Sequence, residues 1–540
     1  MTQRAALLST LVFVIAAPAV APRAETPRSA VPAQPDPATI VHVLNRIGFG
    51  PSPGDVGRVG EMGLARYIDQ QLEPSLLDDR QMAERLAGFT TLKMSAAELA
   101  EQYFLPAQEE RQAAARAGEA AGNGEGAASG APRPAAMRER EALGELAQQK
   151  VLRAVYSRHQ LEEVMVDFWF NHFNVFAGKG PTRIYLTEYE RDVIRPHALG
   201  RFRDLLGATA ASPAMLFYLD NWQSAAAETA NEPRPLRPSR RRRPALPGAG
   251  TAEQAPAAGA RRPRGINENY ARELMELHTL GVDGGYTQTD VQEVARAFTG
   301  WTIAAPRLGG SFRYEPRIHD NGVKVVLGHR LPAGGGRADG ERVLDILAQH
   351  PATAHFIVVK LARRFIADVP PPALVDRAAK TFLDSRGDIR EVLRVILTSP
   401  EFFAAPVVRA KVKTPFEFVV SAARASGLDV TARPLVQAVR DLGMPLYFCQ
   451  PPTGYADRAD GWVNTGGLLN RMNFAVTLTG GGSRPAGART APRGLTSPAV
   501  AERELLAGSV SDTTTATVAR ASDPAQALAL LLGSPEFQRR

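Results

Sequence analysis

The stretch Asn267-Glu268-Asn269-Tyr270-Ala271-Arg272-Glu273-Leu274-Met275-Glu276-Leu277-His278 decides the fold class, because it is the clearest helix in the chain. At 3.6 residues per turn, one face of this helix is polar and the opposite face is apolar. The polar face carries Asn269, Arg272, Glu273 and Glu276. The apolar face carries Tyr270, Leu274 and Leu277. A helix with one apolar face packs against other helices, so the stretch predicts a helical domain.

The same helical period recurs on both sides of this stretch. It predicts further helices over 38–46, 63–71, 141–156, 160–173, 340–350, 353–366, 372–385 and 388–397. Only 309–332 indicates β structure, as a hairpin of 312–314 and 324–327 around the turn Asp320-Asn321-Gly322. The predicted fold is therefore mainly α, one large multi-helix domain with a small β-hairpin and disordered inserts.

Several residues have the chemistry of helix caps. Thr289 with Gln292 predicts a capping box that opens a helix over 290–299, and Asp339 predicts the N-cap of the helix over 340–350. Asp388 and Asp523 each begin a helix that ends, eleven residues later, in Ser-Pro-Glu-Phe. This internal similarity predicts two related helix units, each with its Phe packed beneath the following turn.

The N-terminus has the pattern of an export signal. Arg4 precedes an apolar run of about eleven residues, which is too short to span a bilayer, and Ala17-Pro18-Ala19 offers a cleavage site. We therefore expect a signal peptide over 1–19, a Pro-rich linker over 20–37 and a periplasmic or secreted mature protein without a membrane span.

Composition divides the rest of the 540-residue chain. The helical domain is expected over 38–478, with low-complexity inserts at about 108–140 and 224–264. A Gly/Ser/Thr-rich linker over 479–517 and a C-terminal helix over 518–540 are expected to follow.

The basic balance is concentrated in one insert. The whole chain has a net charge of +8, and residues 224–264 hold nine arginines against three glutamates. A solvated loop explains this insert, and no aromatic residue among its arginines offers a platform for base stacking. Nucleic acid is therefore not an expected partner.

Cysteine content and missing signatures exclude several classes of protein. The single cysteine, Cys449, excludes an intramolecular disulfide, a CxxCH haem site, a four-cysteine zinc site and a thiolate iron–sulfur cluster. The chain has no HExxH, S-x-x-K or Walker motif. Its one G-x-S-x-G match is Gly50-Pro51-Ser52-Pro53-Gly54, where the prolines indicate a turn instead of a nucleophile elbow.

The polar helix holds the candidate catalytic residues, Glu273, Glu276 and His278. Two carboxylates one turn apart can chelate a hard cation or act as an acid–base pair. The alternative is a solvated face on which Arg272 pairs with Glu268 or Glu276. His278 follows the helix, where a charged ring would favour the negative C-terminus, and a ligand or proton-transfer role is the other possibility.

A divalent cation is the candidate cofactor. Asp220-Asn221 precedes the arginine-rich insert and Asn267-Glu268 follows it, so both ends of the insert are expected to lie close together. The candidate metal ligands are Asp220, Glu268, His172, His319 and Asp320. The candidate binding residues are Asn267, Asn269, Arg272 and Trp301. Helix caps are the alternative explanation for Asp220, Asn267 and Glu268. A core position is the alternative for His172 and Trp301, and a turn is the alternative for Asp320.

Several blocks of the chain resemble the bacterial domain-of-unknown-function family 1800 (DUF1800). The blocks are Asp167-Phe168-Trp169-Phe170-Asn171-His172-Phe173, the stretch from Asn267 to Gly281, Tyr286-Thr287-Gln288 and Ala295-Arg296-Ala297-Phe298-Thr299-Gly300-Trp301. His319-Asp320, the predicted helix over 354–365 and Ser399-Pro400-Glu401-Phe402 are similar to its later blocks. The resemblance covers the chain from about Thr39 to its end.

The resemblance implies an exported helical protein. It assigns no catalytic residue, since the family has no settled activity. It also implies a gene setting beside an exported sulfatase-like protein, an association that makes this neighbour the expected partner. Two functions are carried forward. The preferred one is a binding or assembly partner of that neighbour. The alternative is a metal-dependent enzyme acting on an envelope or extracellular polymer.

Overall fold

The computed structural model describes residues 29–120, 134–226, 265–480 and 498–540. The predicted signal peptide and residues 227–264 of the arginine-rich insert lie outside the described residues. In the first half of the chain the α-helices are Pro37–Ile47, Asp55–Met62, Leu64–Leu72, Arg80–Leu86, Ala96–Leu99, Leu105–Ala120, Pro134–Tyr156, Gln160–His172, Thr182–Glu188, Phe202–Ala211 and Pro213–Tyr218.

Helices also dominate the second half. These are Glu268–Glu276, Gln288–Ala297, Arg337–Ala348, Pro351–Phe365, Pro372–Asp384, Ile389–Leu397, Pro415–Ser426, Ala432–Asp441, Thr465–Thr479, Pro498–Leu506, Asp512–Val518 and Pro524–Gly533. Short 3₁₀ segments occur at Pro74–Leu76, Thr91–Lys93, Arg195–His197, Asn221–Gln223, Pro316–Ile318, Ala405–Val407 and Ala459–Gly461, and π-helical segments at Ala100–Phe104 and Tyr189–Ile194. The predicted mainly α fold is confirmed.

One continuous apolar core runs from Ile40 near the start of the described chain to Phe537 near its end. Trp169 and Trp301 are its largest fully buried side chains, and the Trp169 indole N–H donates to the carbonyl of Ala198 at 2.9 Å. The core explains why the apolar faces of the helices repeat every 3.6 residues, since each helix buries one stripe in it.

The two Ser-Pro-Glu-Phe units are structurally alike, as their sequences predict. Asp388 caps Ile389–Leu397, and Asp523 caps Pro524–Gly533. The hydroxyls of Ser399 and Ser534 accept from the backbone N–H of the Phe three residues later, both at 3.2 Å. Both Phe rings, Phe402 and Phe537, are buried in the core.

The predicted hairpin is wrong in its pairing, although its strands are real. Phe312–Tyr314 pairs with Trp301–Ile303, and Lys324–Val326 pairs with His329–Leu331, so two separate antiparallel hairpins form. The second hairpin closes through Leu327 and Gly328, whose φ values are both positive, as a tight two-residue turn requires. This local turn is shorter than a connection through Asp320-Asn321-Gly322.

Two predicted caps are also displaced. Thr287 and Asp290 form the capping box of Gln288–Ala297, two residues earlier than predicted. Asp339 lies inside Arg337–Ala348 and is not its cap. Instead its buried carboxylate accepts from Lys324 Nζ at 2.7 Å, a contact between distant residues that local cap chemistry cannot indicate.

Helices occupy part of the predicted C-terminal linker. Residues 498–506 and 512–518, which fall in the predicted linker, are helical. Pro524–Gly533 packs against Thr465–Thr479, and Leu531 and Leu532 belong to the common core. The insert predicted at 108–140 is helical up to Ala120 and again from Pro134. Within the described part of the chain, no helix is long and apolar enough to cross a membrane.

A buried carboxylate joins the second half of the chain to its last residues. Glu417, in Pro415–Ser426, lies 2.8 Å from Arg364 Nη2 and 3.0 Å from Arg540 Nε. Burial alone raises the pKa of Glu417, but the two guanidinium groups more than offset this and lower it to about 2. Glu417 is therefore ionised throughout the neutral range.

The substitution Glu417→Gln keeps the shape of the side chain and removes its charge. Because it leaves two buried guanidinium groups without a counter-charge, it should lower the free energy of unfolding by about 3–5 kcal/mol at pH 7. The wild type should lose stability as the pH falls from about 4.5, where the unfolded carboxyl is protonated, through about 2, and the variant should not lose this part.

Urea unfolding between pH 2 and pH 7 measures both effects. Asp384→Asn is the matched control, because Asp384 pairs with Lys380 at an exposed site and should change stability by less than about 1 kcal/mol. Equal losses in the two variants would contradict the assigned role of Glu417.

Candidate functional site

The candidate site is built on the polar helix Glu268–Glu276. Asn267 is its N-cap, with Oδ1 accepting from the backbone N–H of Tyr270 at 3.0 Å and Nδ2 donating to the carbonyl of Leu219 at 2.8 Å. The backbone N–H of Asn267 donates to Ser224 Oγ at 3.1 Å. The residues flanking the arginine-rich insert are thus in contact, as predicted.

The oxygen-donor side chains near that junction have separate partners. Asp220 accepts from Lys179 Nζ at 2.7 Å, and its own backbone is left-handed, with φ 61°. Glu268 accepts from Gln288 Nε2 at 2.6 Å, while Asn269 is exposed to solvent. The contact between the flanking segments therefore involves their backbones and the Asn267 side chain. The carboxylates of Asp220 and Glu268 instead bind other residues.

Glu273 and Glu276 lie half-buried on the same face of the helix and have different surroundings. Glu276 accepts from the Tyr286 hydroxyl at 3.0 Å. Among the described residues, the Glu273 carboxylate has no hydrogen-bond or ion-pair partner, because Arg272 donates instead to Gln288 at 2.7 Å. Burial, and then the nearby charge of Glu276, raise the pKa of Glu273. Glu273 therefore differs from Glu276 both in its missing partner among the described residues and in its raised pKa.

His278 lies behind the helix, away from solvent. Its backbone N–H donates to the carbonyl of Glu273 at 3.1 Å and so closes the last turn. Its ring packs on Phe173, with centroids 5.1 Å apart. Burial, and then the charge of Lys360, lower the pKa of His278 to about 3. Of the two alternatives for His278, this burial disfavours the charged ring, and the ligand or proton-transfer role stays a prediction.

His172 links this helix to a lysine that the sequence did not indicate. Its Nε2 donates to the carbonyl of His278 at 3.1 Å, so Nδ1 is the acceptor, and Lys360 Nζ lies 2.7 Å from it. Burial lowers the pKa of Lys360 to about 8, with a smaller effect from Arg363. Lys360 occupies a mostly apolar stripe of Pro351–Phe365, and that position was its only signal in the sequence.

The residues around the two hairpins form a different cluster. His319 is buried, with Nδ1 2.8 Å from the carbonyl of Thr299 and Nε2 3.2 Å from Asp339. Asp320 accepts two hydrogen bonds from Arg296, at 2.9 and 3.0 Å. These contacts hold the segment between the hairpins in place and engage both predicted ligands.

Trp301 belongs to the core. It is fully buried, its ring packs on Phe298 and Phe312, and a side chain at Gly340 would collide with it. These contacts show that the ring packs in the core, and its predicted binding role stays a prediction.

A metal site does not emerge from these placements. In the parts of the chain that the structure describes, no group of three or more His, Cys, Asp or Glu side chains is arranged to hold a metal ion. The predicted roles of Asp220, Glu268, His172, His319 and Asp320 as metal ligands stay predictions. Glu273 and Glu276 are the two residues whose surroundings still suit a hard cation.

The block Asp167–Phe173 anchors a loop beside the polar helix. Asn171 exchanges two hydrogen bonds with the backbone of Tyr455, at 2.9 and 2.7 Å, and Asp167 pairs with the buried Lys150 at 2.9 Å. The one cysteine, Cys449, lines the same recess as Asp167 and Asn171. Burial raises the pKa of its thiol to about 11. A thiol held protonated in this way is a poor nucleophile.

Comparison with known protein families gave a match. The family model described as "Protein of unknown function (DUF1800)" matches residues 42–539. The match extends through the predicted linker and the C-terminal helix, beyond the expected end of the family domain at 478. No curated protein matches the chain. No solved structure matches it.

Glu273→Gln tests whether the ionised carboxylate of Glu273 lowers the stability of the folded protein. Because its folded-state pKa is raised, ionisation costs stability as the pH rises through that pKa. The variant should therefore gain about 0.5 kcal/mol in free energy of unfolding at pH 7 and nothing at pH 4. The expected gain is small because solvent screens a half-buried carboxylate.

Urea unfolding at the two pH values measures the difference. Glu268→Gln is the control on the same helix, since its carboxylate accepts from Gln288 and its loss should not stabilise. A Glu273→Gln variant that is less stable than wild type at pH 7 would show that the carboxylate has a stabilising partner.

Proposed function

Because the chain belongs to the DUF1800 family, whose function is unknown, we propose from the molecule itself that it is an exported, non-catalytic binding or assembly protein. The observation that carries the proposal is an exposed apolar surface on Thr465–Thr479. We call it the apolar face, and it consists of Leu468, Leu469 and Val476 together with the preceding Val463.

The apolar face is unusual for the surface of a folded protein. Leu469 and Val476 are seven residues apart and therefore point the same way, and they are 61% and 42% exposed. Leu468 extends the stripe. Single exposed apolar residues are ordinary, but a contiguous stripe is typical of a protein–protein interface.

Charge on this helix also favours a protein partner. Thr465–Thr479 has no acidic residue, and its one basic residue, Arg471, is buried. The centres of protein interfaces are depleted in charged residues in the same way. A nucleic acid would need exposed cations, which the apolar face lacks. The occupant that fits is an apolar patch on another folded protein.

The surroundings of three candidate site residues, one catalytic, one metal-ligating and one binding, give further support. His278 and His172 are neutral and buried, and Trp301 packs in the core. These side chains join distant helices to one another. A binding protein needs a rigid body of this kind to present its surface, whereas a catalyst needs such groups to face a substrate.

We propose that the partner is the exported sulfatase-like protein expected to be encoded beside this one. We propose the periplasm or the exterior of the cell as the location. Both assignments rest on the export pattern at the N-terminus and on the gene setting that the resemblance implies. Both therefore require direct measurement.

Leu469→Asp, combined with Val476→Asp, should weaken partner binding at least tenfold. Both side chains are largely exposed, so the free energy of unfolding should stay within about 0.5 kcal/mol of wild type for each change. The measurement is analytical ultracentrifugation of the mature full-length protein mixed with the purified sulfatase-like protein at micromolar concentration.

Leu76→Asp is the matched control, because Leu76 is 70% exposed at a distant 3₁₀ turn. It should leave binding unchanged. Failure of the wild type to associate would reject this partner, and equal binding by the wild type and the double variant would reject the apolar face.

A second candidate function is supported by Glu273. Its half-buried carboxyl has a raised pKa and, within the described residues, no partner, which are properties of an acid–base group or a cation ligand. It lies next to Glu276, so the pair favours a metal-dependent enzyme acting on an envelope or extracellular polymer.

Elemental mass spectrometry of the protein purified without chelators tests this candidate. A metal-dependent enzyme should carry one divalent ion per chain, and Glu273→Ala should lose it while remaining folded. The control is Glu268→Ala, which should keep the ion. A folded wild type with no stoichiometric ion would remove this candidate.

A further inference from the structure

A recess of about 330 Å³ lies between the helix Leu64–Leu72 and the end of the helix Pro134–Tyr156. We call it the arginine recess, because Arg58, Arg158 and Arg424 line it. It is open to solvent, since the Arg58 side chain is 48% exposed and Arg158 is exposed as well. Sites for small organic molecules have volumes of about 300–1,000 Å³, so a molecule of that kind fits here.

The charge of the arginine recess is positive. One carboxylate in its wall, Asp55, faces the three arginines. Asp55 lies 2.9 Å from Arg58 and 3.2 Å from Arg424, so these two cations share its single charge. Arg158 has no ion pair among the described residues, and its guanidinium makes one hydrogen bond, from Nη1 to the carbonyl of Asp78 at 3.4 Å. This surplus of positive charge favours an anionic ligand.

Tyr67 is a buried polar side chain that points into the arginine recess. It lines the recess and is 3% exposed. Among the described residues its hydroxyl has no hydrogen-bond partner, and it is not one of the partnerless polar atoms that are closed to solvent, so it faces the recess. Burial, and then the charge of Asp55, raise the pKa of Tyr67, so the hydroxyl keeps its proton. A donor of this kind is left unsatisfied unless a molecule in the recess accepts from it.

Two neutral polar side chains of the wall are also without partners. Ser52 Oγ and the Gln70 amide belong to half-buried residues, and neither makes a hydrogen bond within the described chain. Hydroxyl and amide groups both donate and accept, so they pair with the hydroxyl groups of a ligand. Because most sites for small molecules are mainly apolar, a wall of this composition favours a polar, hydroxylated molecule.

A second recess limits how much negative charge the ligand can carry. Its volume is about 470 Å³, and Arg158 lines both recesses. Asp78 and Arg80 in its wall pair with each other, whereas Asp79 and Glu84 have no ion pair within the described chain. An extended polyanion that left the arginine recess in this direction would approach these two carboxylates and be repelled. The ligand that fits is therefore a small molecule with one anionic group.

We propose that the arginine recess binds a small hydroxylated organic anion, a sugar that carries one carboxylate or one phosphate group. Arg58, Arg158 and the Tyr67 hydroxyl bind the anionic group, since arginine and hydroxyl donors suit both kinds of oxyanion. Ser52 and Gln70 bind the hydroxyl groups of the sugar. The proposal is independent of the apolar face and of Glu273.

Isothermal titration calorimetry of the mature full-length protein tests the proposal. The probes are sodium D-glucuronate and D-glucose 6-phosphate, which carry the two anionic groups on the same sugar, and D-glucose is the neutral control. At least one of the two anions should bind at one site per chain and at least about tenfold more tightly than glucose. The tighter of the two distinguishes a carboxylate site from a phosphate site. Binding of neither anion, or equally tight binding of glucose, would overturn the proposal.

Arg158→Gln should weaken binding of the tighter anion by about tenfold, because it removes a cation that has no counter-charge in the described chain. Arg66→Gln is the matched control, since Arg66 is an exposed arginine on Leu64–Leu72 that does not line the recess. It removes the same charge and should change the affinity by less than about twofold, because solvent and salt screen a distant charge. Equal losses in the two variants would overturn the assigned role of Arg158.

Tyr67→Phe removes the hydroxyl and leaves the ring, so it should weaken binding by about tenfold. Because this hydroxyl has no partner in the described chain, the unfolding midpoint without ligand should not fall. Tyr185→Phe is the matched control: Tyr185 is equally buried, but its hydroxyl donates to the carbonyl of Pro306 at 2.8 Å. The control should lower the midpoint and keep the affinity. Unchanged affinity in Tyr67→Phe would overturn the assigned role of its hydroxyl.

Discussion

The buried carboxylate of Glu417 is the interaction on which the rest of the structure depends. It forms ion pairs with Arg364 in the helix Pro351–Phe365 and with Arg540 at the end of the chain. Backbone hydrogen bonds between Lys411 and Arg540 hold the same segment on both sides. Because a single charged group contacts elements more than a hundred residues apart, the helices around it form one body and not a string of domains.

That body determines what the candidate site can do. The polar helix is fixed at one end by Asn267, which caps it and binds Leu219, and at the other by His278, which is buried against Phe173. Lys360 and His172 support it from behind. The groups that remain accessible are Glu273, with no partner in the described chain, and the apolar face, and these carry the two candidate functions.

Features that depend on neighbouring residues could be predicted from the sequence. Contacts between residues far apart in the chain could not. The helices, the caps Asp388 and Asp523, and the contact between the segments flanking the insert follow from period, cap chemistry and chain connectivity. Strand pairing does not, because 312–314 has two possible partners and the choice depends on a two-residue turn. The contact of Lys360 with His172 joins residues 188 apart, and nothing in either local sequence indicates it.

Hydrogen exchange under native conditions, followed by mass spectrometry, tests the central claim that the ends of the chain and the main helices form one cooperative body. The account predicts that Pro37–Ile47, Pro415–Ser426 and Pro524–Gly533 exchange through the same opening, with equal free energies and equal dependence on denaturant. Exchange of Pro524–Gly533 at a free energy about 2 kcal/mol or more below that of Pro415–Ser426 would contradict it.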